Sequence, residues 1–541
     1  MKKYIILIAA PVLMLICFGS CEKKIDEAYA NPNATVRVPI ETLLPGIIGN
    51  FVGSSAAAGS AYGTANDGLY VGRYIQYWGT NTAGNQFDQM SGATGASDLM
   101  GSVWAMHYFG MGQNLNKMIE WGIEEKKWDY VGVGLAIRAW SWLTLTDMYG
   151  EVILREAFNT SQLVFNYQDQ PEVYDSVRAI AQKAIMFLSM TGDNVNRDNL
   201  KKGDQYFYEG DTEKWKKFAY TVIARSYNHL TNKADYKADS VIKYAQLGIN
   251  SNADNGAAKF ANTGITGTSN FYGPLRANVG VLRQSNFIAN LMSGSNPTFQ
   301  GVADPRAAYI IRENNGGTYR GVQMGLGAQG LSPETQPRNF WGGTFALTSS
   351  TVDTGARYIF KNNSPFPIIT AAETKFMLAE AYYKKGQKGQ ARQAYIDGIN
   401  ASFDMLTGTY DYANIPSSLK ITSAKRQAYL ADPKAVPSES DLNLSHIMLQ
   451  KYIAMYGYGL VETWVDIRRY HYNADTDAGN PVYADFTPPS GSNLFVNNNN
   501  KLVYRARPRY NSEYLYNVKE LERIGAIALD YHTKEMWFSQ K

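Results

Sequence analysis

Cysteine and histidine are scarce in this 541-residue chain: two cysteines, Cys17 and Cys21, and five histidines, His107, His229, His446, His471 and His532. Two cysteines beside each other at the amino terminus cannot build a disulfide framework or a thiolate metal site for the body of the protein. The histidines are far apart, and none has a second histidine three to five residues away, so no local zinc motif is present. Neither a Gly-x-Ser-x-Gly elbow nor a phosphate-cradling Gly-x-x-x-x-Gly-Lys loop occurs. No run of Lys and Arg tracks one face, and the net charge of +4 is close to balance. The phosphate-neutralising term that drives nucleic-acid binding is therefore missing. These patterns assign no catalytic residue, no metal ligand and no cofactor. The oxygen-rich loops leave a structural Ca²⁺ open, although no EF-hand spacing is found. Asp88, Asp304 and Glu313 lie in or beside irregular segments, and an enzyme built on two distant carboxylates, a surface glycoside hydrolase or peptidase, stays open as an alternative.

What is abundant is aromatic: 38 tyrosines, 22 phenylalanines and 10 tryptophans, alongside many glycines and asparagines. Rings with amide donors suit recognition of polar ligands at a wet surface, while much of the aromatic content must also fill a core. The amino terminus is the most specific segment. Lys2 and Lys3 precede the apolar run Tyr4–Phe18, and Gly19-Ser20-Cys21 follows. That layout predicts a signal peptide over 1–20. Its apolar run is too short for a permanent span, since about fifteen helical residues cover only ~22 Å of a ~30 Å hydrocarbon core. Gly19-Ser20-Cys21 resembles the bacterial lipoprotein processing box, which makes Cys21 the acylated first residue of the mature chain and 21–40 its tether.

Helical periodicity covers much of the rest. Helices are expected over Leu99–Glu120 with Asp98 as cap, Tyr130–Tyr149, Gln170–Met190, Thr212–Leu230, Ala238–Leu247, Ala371–Lys385, Gln390–Phe403 and His446–Tyr470. From Leu69 a further helix carries Tyr70, Tyr74 and Tyr77 on one face, a stripe that also fits a core. Ala379, Gly386, Ala394 and Phe403 sit close to the small and aromatic positions of a tetratricopeptide hairpin. The expected organisation is one domain over 41–541: a helical scaffold mainly in 98–250 and 370–470, a loop-rich insert at 251–369, and an irregular region at 471–541. Ala307–Arg312 and Gly317–Val322 read as short strands inside the insert. A long excursion from a rigid scaffold is where recognition is expected.

The leader, Asn31-Pro32-Asn33, the hairpins and the aromatic insert together resemble the SusD/RagB family of nutrient-binding outer-membrane lipoproteins of Bacteroidetes. Three further segments carry the resemblance: Glu462, Trp464, Asp466, Arg468 and Arg469 in one run; Arg507 to Asn517 through Ser512 and Glu513; and Asp304-Pro305-Arg306. The resemblance implies a mostly α fold in which tetratricopeptide-like hairpins support an irregular ligand-binding half with a few short strands. It also implies no catalysis and a SusC-like TonB-dependent transporter as partner in the outer membrane. The protein would face the cell exterior on its lipid anchor and hand over an oligosaccharide or peptide. A protein-binding adhesin is the third class weighed. Read as a helix, Glu462, Asp466 and Arg469 form a structural ionic network near Trp464. Arg505, Arg507 and Arg509 alternate as on an extended segment. The ligand site expected on this basis combines Tyr77, Trp78, Tyr319, Phe340 and Trp341 as stacking rings with Gln86, Arg320 and Arg338 as polar partners.

Overall fold

A computed structural model describes residues 37–541 except 53–59, 66, 85–98, 266, 272–273, 345–346 and 349. The leader, Cys21, Asn31-Pro32-Asn33, Gln86, Asp88 and Asp98 lie outside the described residues. The fold is mostly α, with helical hairpins of tetratricopeptide type and a few short strands. Helix Gly112–Glu124 packs on Trp128–Tyr149, which packs in turn on Gln170–Leu188. Thr212–Asn228 pairs with Ala238–Leu247, and Ala371–Lys384 with Lys388–Thr409. No described helix is long and apolar enough to cross a membrane.

Trp128–Tyr149 is buried on almost every side, and its composition explains how it can be central. A Cβ on Gly132 would sit 2.5 Å from the Leu188 side chain, and one on Gly134 would sit 2.9 Å from Ile119 and Met118. Each glycine thus admits a different neighbouring helix. The clearest hairpin has equally local causes. Thr370 caps its first helix by accepting from the Glu373 N–H at 3.3 Å, and Gly386 at φ +73° makes the turn. At the crossing, Gly398 faces the Phe376 ring, which a Cβ would approach to 2.8 Å.

Several elements differ from expectation. The first aromatic helix is Gly68–Tyr74, so Tyr77 lies beyond its end rather than on its face. Leu99–Glu120 is not one helix: Ser102–Ala105 runs into a π-turn over Met106–Gly110 before Gly112–Glu124 begins. The turn lets Gly112 meet Phe158, whose ring a Cβ would reach at 2.2 Å. His446–Tyr470 is two helices, Leu444–Ala454 and Leu460–Arg469, because Gly457 takes φ +84° between them. Ala307–Arg312 is a helical turn over Ala307–Ile310 rather than a strand, and Gly317–Val322 makes only an isolated bridge, Val322 to Ser285.

The described strands form three antiparallel pairs. Gly256–Ala258 with Phe366–Ile369 brackets the insert at its entry and exit. Trp78–Thr80 with Leu282–Gln284 ties the insert to the amino-terminal segment.

Candidate functional site

The segment ending in Trp78 is anchored deep in the core. Tyr77 Oη bonds the Met455 carbonyl at 2.9 Å and Thr463 Oγ1 at 2.6 Å. Tyr452 and Tyr456 return hydroxyl bonds to the carbonyls of Ile75 and Tyr77, at 2.9 and 3.0 Å. Tyr62 reaches the Tyr458 carbonyl at 3.0 Å. Trp78 fills the space left by Gly72 and donates from Nε1 to the Leu69 carbonyl. In the insert, Phe340 stacks on Phe360 with centroids 4.2 Å apart and planes within 4°, and Trp341 packs edge-on to Phe271 and Phe360.

Tyr77, Trp78, Phe340 and Trp341 are therefore core rings with no face for a sugar, which corrects their placement as a stacking platform. All four belong to the continuous hydrophobic core that scaffold and insert share. Of the described candidates, Tyr319 and Arg338 are half-buried and Arg320 is exposed. Arg338 donates to Asn315 Oδ1 at 2.8 and 3.1 Å.

Beside the anchored segment lies a cleft of about 270 Å³ lined largely by amides and short polar groups: Gln76, Asn286, Asn290, Gln323, Asp485, Thr487 and Asn493, with Phe287 and Met324. Gln76 is held at φ +60° where helix Gly68–Tyr74 gives way to the strand, and its Nε2 donates to the Thr487 carbonyl at 2.5 Å. Asn290 Nδ2 donates to Asp485 Oδ2 at 2.8 Å. Ser285 caps helix Asn286–Ser293 and also bonds the Gln76 carbonyl, joining the two walls. Four separate stretches of chain build this cleft, so no sequence pattern could have pointed to it.

Two other hollows flank the insert and scaffold. One of about 440 Å³ runs under Tyr319, past Asp304, Lys425, Tyr429 and Asp432. The other, about 770 Å³, is mainly apolar, with Trp104, Tyr108, Phe158 and Phe165 as walls. Phe109 and Leu163 stand on it 78% and 83% exposed.

The recurring charged segments serve the frame. Asp466 pairs with Arg469 at 2.5 Å and Lys451 at 2.7 Å. Arg469 also grips Glu380 at 2.7 and 3.1 Å. Glu462 meets His229 at 2.9 Å and Lys451 at 3.3 Å. Arg468 lies 3.8 Å over the Trp464 ring and donates to the carbonyls of Asp147 and Tyr504. Arg225, His229, Glu373, Glu380 and Lys451 complete this buried network from distant helices. Burial pushes the Glu380 carboxyl upward, but Arg469 outweighs it and holds the group at about 2. Asp304 and Arg306 bond each other at 2.6 Å, with Gln450 and Tyr429 closing the cluster. Arg505 binds Glu151 at 2.5 Å, and Arg507 donates to the carbonyls of Ala526, Ala528 and Leu529. Among the described residues, no three His, Cys, Asp or Glu side chains gather as a metal site.

The SusD-like family described as "Starch-binding associating with outer membrane" matches residues 44–483. No curated protein matches in sequence. Among solved structures, a SusD/RagB family protein from Bacteroides thetaiotaomicron superposes with TM-score 0.62 at 17% identity, covering 93% of this chain and 99% of that one. A SusD homologue from Bacteroides uniformis gives 0.66 at 19%, with 93% and 99% covered. A chitin-binding SusD homologue from Flavobacterium johnsoniae gives 0.62 at 18%, with 92% and 98% covered. With the family match running through hairpins, insert and the Glu462–Arg469 segment alike, the chain belongs to the SusD/RagB-like family of outer-membrane nutrient-binding proteins.

Proposed function

We propose that this protein captures an oligosaccharide at the cell surface and delivers it to a SusC-like TonB-dependent transporter, without catalysing a reaction on it. The observation that carries the ligand class is the amide-lined cleft of Gln76, Asn286, Asn290, Gln323 and Asn493. An amide offers a donor pair and an acceptor side by side, which matches vicinal sugar hydroxyls that do both. Met324, half-buried at the cleft, supplies apolar contact for the C–H face of a sugar ring. Of the other candidates, Arg320 is exposed, and Tyr319 and Arg338 are half-buried. The family description as starch-binding and the chitin-binding relative support a glycan.

In this reading residues 1–20 are removed as a signal peptide, Cys21 is acylated, and the polar tether holds the domain on the outer membrane facing outward. Tethering beside a transporter raises the local ligand concentration, so modest affinity suffices. The apolar hollow at Phe109 and Tyr516 favours a second reading, capture of a peptide through its apolar side chains.

Calorimetric titration with neutral and acidic oligosaccharides and with a peptide library tests both. Glycan binding weakened by Gln323→Ala and Asn493→Ala is expected. Peptide binding that is insensitive to those changes, with no glycan bound, would replace the first reading by the second. Co-purification of a TonB-dependent receptor from native outer membranes tests the partner.

A further inference from the structure

Arg312 of the insert is buried within reach of the charges of Arg357, Glu313 and Arg338 and of the Tyr319 hydroxyl. Glu313 is spent on one of them: its two oxygens accept from Arg357 Nη1 and Nη2, each at 3.0 Å. Among the described residues, Arg338 donates to the neutral Asn315 amide and to no carboxylate. Arg312 is 6% exposed, and its Nε and Nη1 have no hydrogen-bond partner among the described residues. Arg357 Nε and Trp341 Nε1 are likewise buried and unpartnered. A guanidinium does not escape this cost by losing its proton, so a buried one without an acceptor is expensive. Burial and the neighbouring Arg357 lower the Arg312 guanidinium only to about 10, which leaves it charged at neutral pH. The local backbone preserves the gap. Gly342 stands at φ +85°, and a Cβ there would come within 2.5 Å of Arg312 Nη2.

This is a place with surplus positive charge and surplus N–H donors, with Tyr319 and Arg338 half-buried at its side. It is tied to the amide cleft through the backbone. Gln284 Nε2 bonds the carbonyls of both Arg312 and Arg320, and Gln323 of the cleft is three residues beyond Arg320, at most about 11 Å of chain. One oligosaccharide is long enough to occupy both.

We propose that the arginine cluster at Arg312 and Arg338 receives an anionic group of the captured glycan, a carboxylate or sulfate ester, so that the ligand class is an acidic oligosaccharide; this rests on the glycan-capture reading above. Planar guanidinium forks match either group.

The test titrates the mature full-length protein with a galacturonate oligosaccharide, a sulfated galactan oligosaccharide and a neutral galactan oligosaccharide of equal length. The expected result is affinity for an acidic probe at least about tenfold above the neutral one, a preference lost in Arg312→Met and Arg338→Gln. The two acidic arms tell carboxylate from sulfate. Arg312→Met removes no hydrogen bond from its Nε or Nη1, so its melting temperature should equal or exceed that of the wild type, which separates lost binding from lost folding. Arg338→Gln, at a half-buried position, is the second variant. Equal affinity for neutral and acidic probes, unchanged in both variants, would overturn the proposal while leaving glycan capture standing. Binding of none of the three would remove glycan capture and this inference together.

Discussion

Nε2 of His229 lies 2.9 Å from Oε2 of Glu462, with both side chains closed to solvent and Asp147 on the other side of the ring. This contact joins helix Thr212–Asn228 to helix Leu460–Arg469, and so ties the middle of the scaffold to its carboxy-terminal end. Tyr174, Arg225 and Lys451 surround the same pair.

The pair makes stability depend on pH. Burial alone would lower the His229 imidazole, but the carboxylates of Glu462 and Asp147 outweigh it and raise the group to about 9. A folded-state value above the ordinary one near 6.5 contributes stability that is complete below about pH 6.5 and is lost as pH rises through about 9. The stake is on the order of 3 kcal/mol. Melting curves of wild type and His229→Gln between pH 6 and 10 should converge toward the alkaline end. A constant gap across that range would contradict the pairing.

Arg469 faces two carboxylates, Glu380 and Asp466, and all three side chains are buried. Arg469→Met leaves buried negative charge uncompensated and should cost about 3–5 kcal/mol. The triple change Arg469→Met, Glu380→Gln, Asp466→Asn should recover part of that loss. Urea denaturation midpoints measure both effects.

Gly398→Ala tests the hairpin crossing. The new methyl would press on the Phe376 ring at 2.8–2.9 Å in a fully packed site. Destabilisation of about 1–3 kcal/mol is expected, with circular dichroism showing that helix content is kept. Gly408→Ala, on the same helix but with open space around it, should be neutral or slightly stabilising.

Cys21→Ser tests the anchor. The acylated wild type should stay with membranes in high salt, because two acyl chains hold far more firmly than one. The variant should leave the membrane fraction with an unchanged melting temperature. Acyl mass on the mature amino terminus, read by mass spectrometry, checks the assignment directly.

The hairpin Ala371–Thr409 was legible because its causes are local: a capping threonine, a turn glycine and small residues at the crossing. The break at Gly457 inside His446–Tyr470 was not, because apolar periodicity continues through it and only the backbone angle interrupts the helix. The aromatic residues divide along the same line. Composition marks Tyr77, Trp78, Phe340 and Trp341 as rings, but a ring in a core and a ring on a binding crest have the same sequence signature. What separates them is whether a neighbour such as Phe360 or Gly72 meets the face. The cleft was invisible for a further reason: Gln76, Asn286, Gln323 and Asn493 are ordinary loop and helix-end amides until the fold brings them together.

The tyrosine bonds that fasten Ile75 and Tyr77 to Tyr452, Met455 and Tyr456 join positions 377 to 379 residues apart. A chain emerging from the ribosome amino end first presents one half of each bond long before the other has been synthesised. Its first segment cannot finish packing until nearly the whole polypeptide exists, so folding is deferred by connectivity rather than by a slow local step. Under the proposed reading, in which the chain crosses a membrane unfolded before its lipid is attached, that delay is useful. The contacts that complete the core become available only when little of the chain remains to be exported.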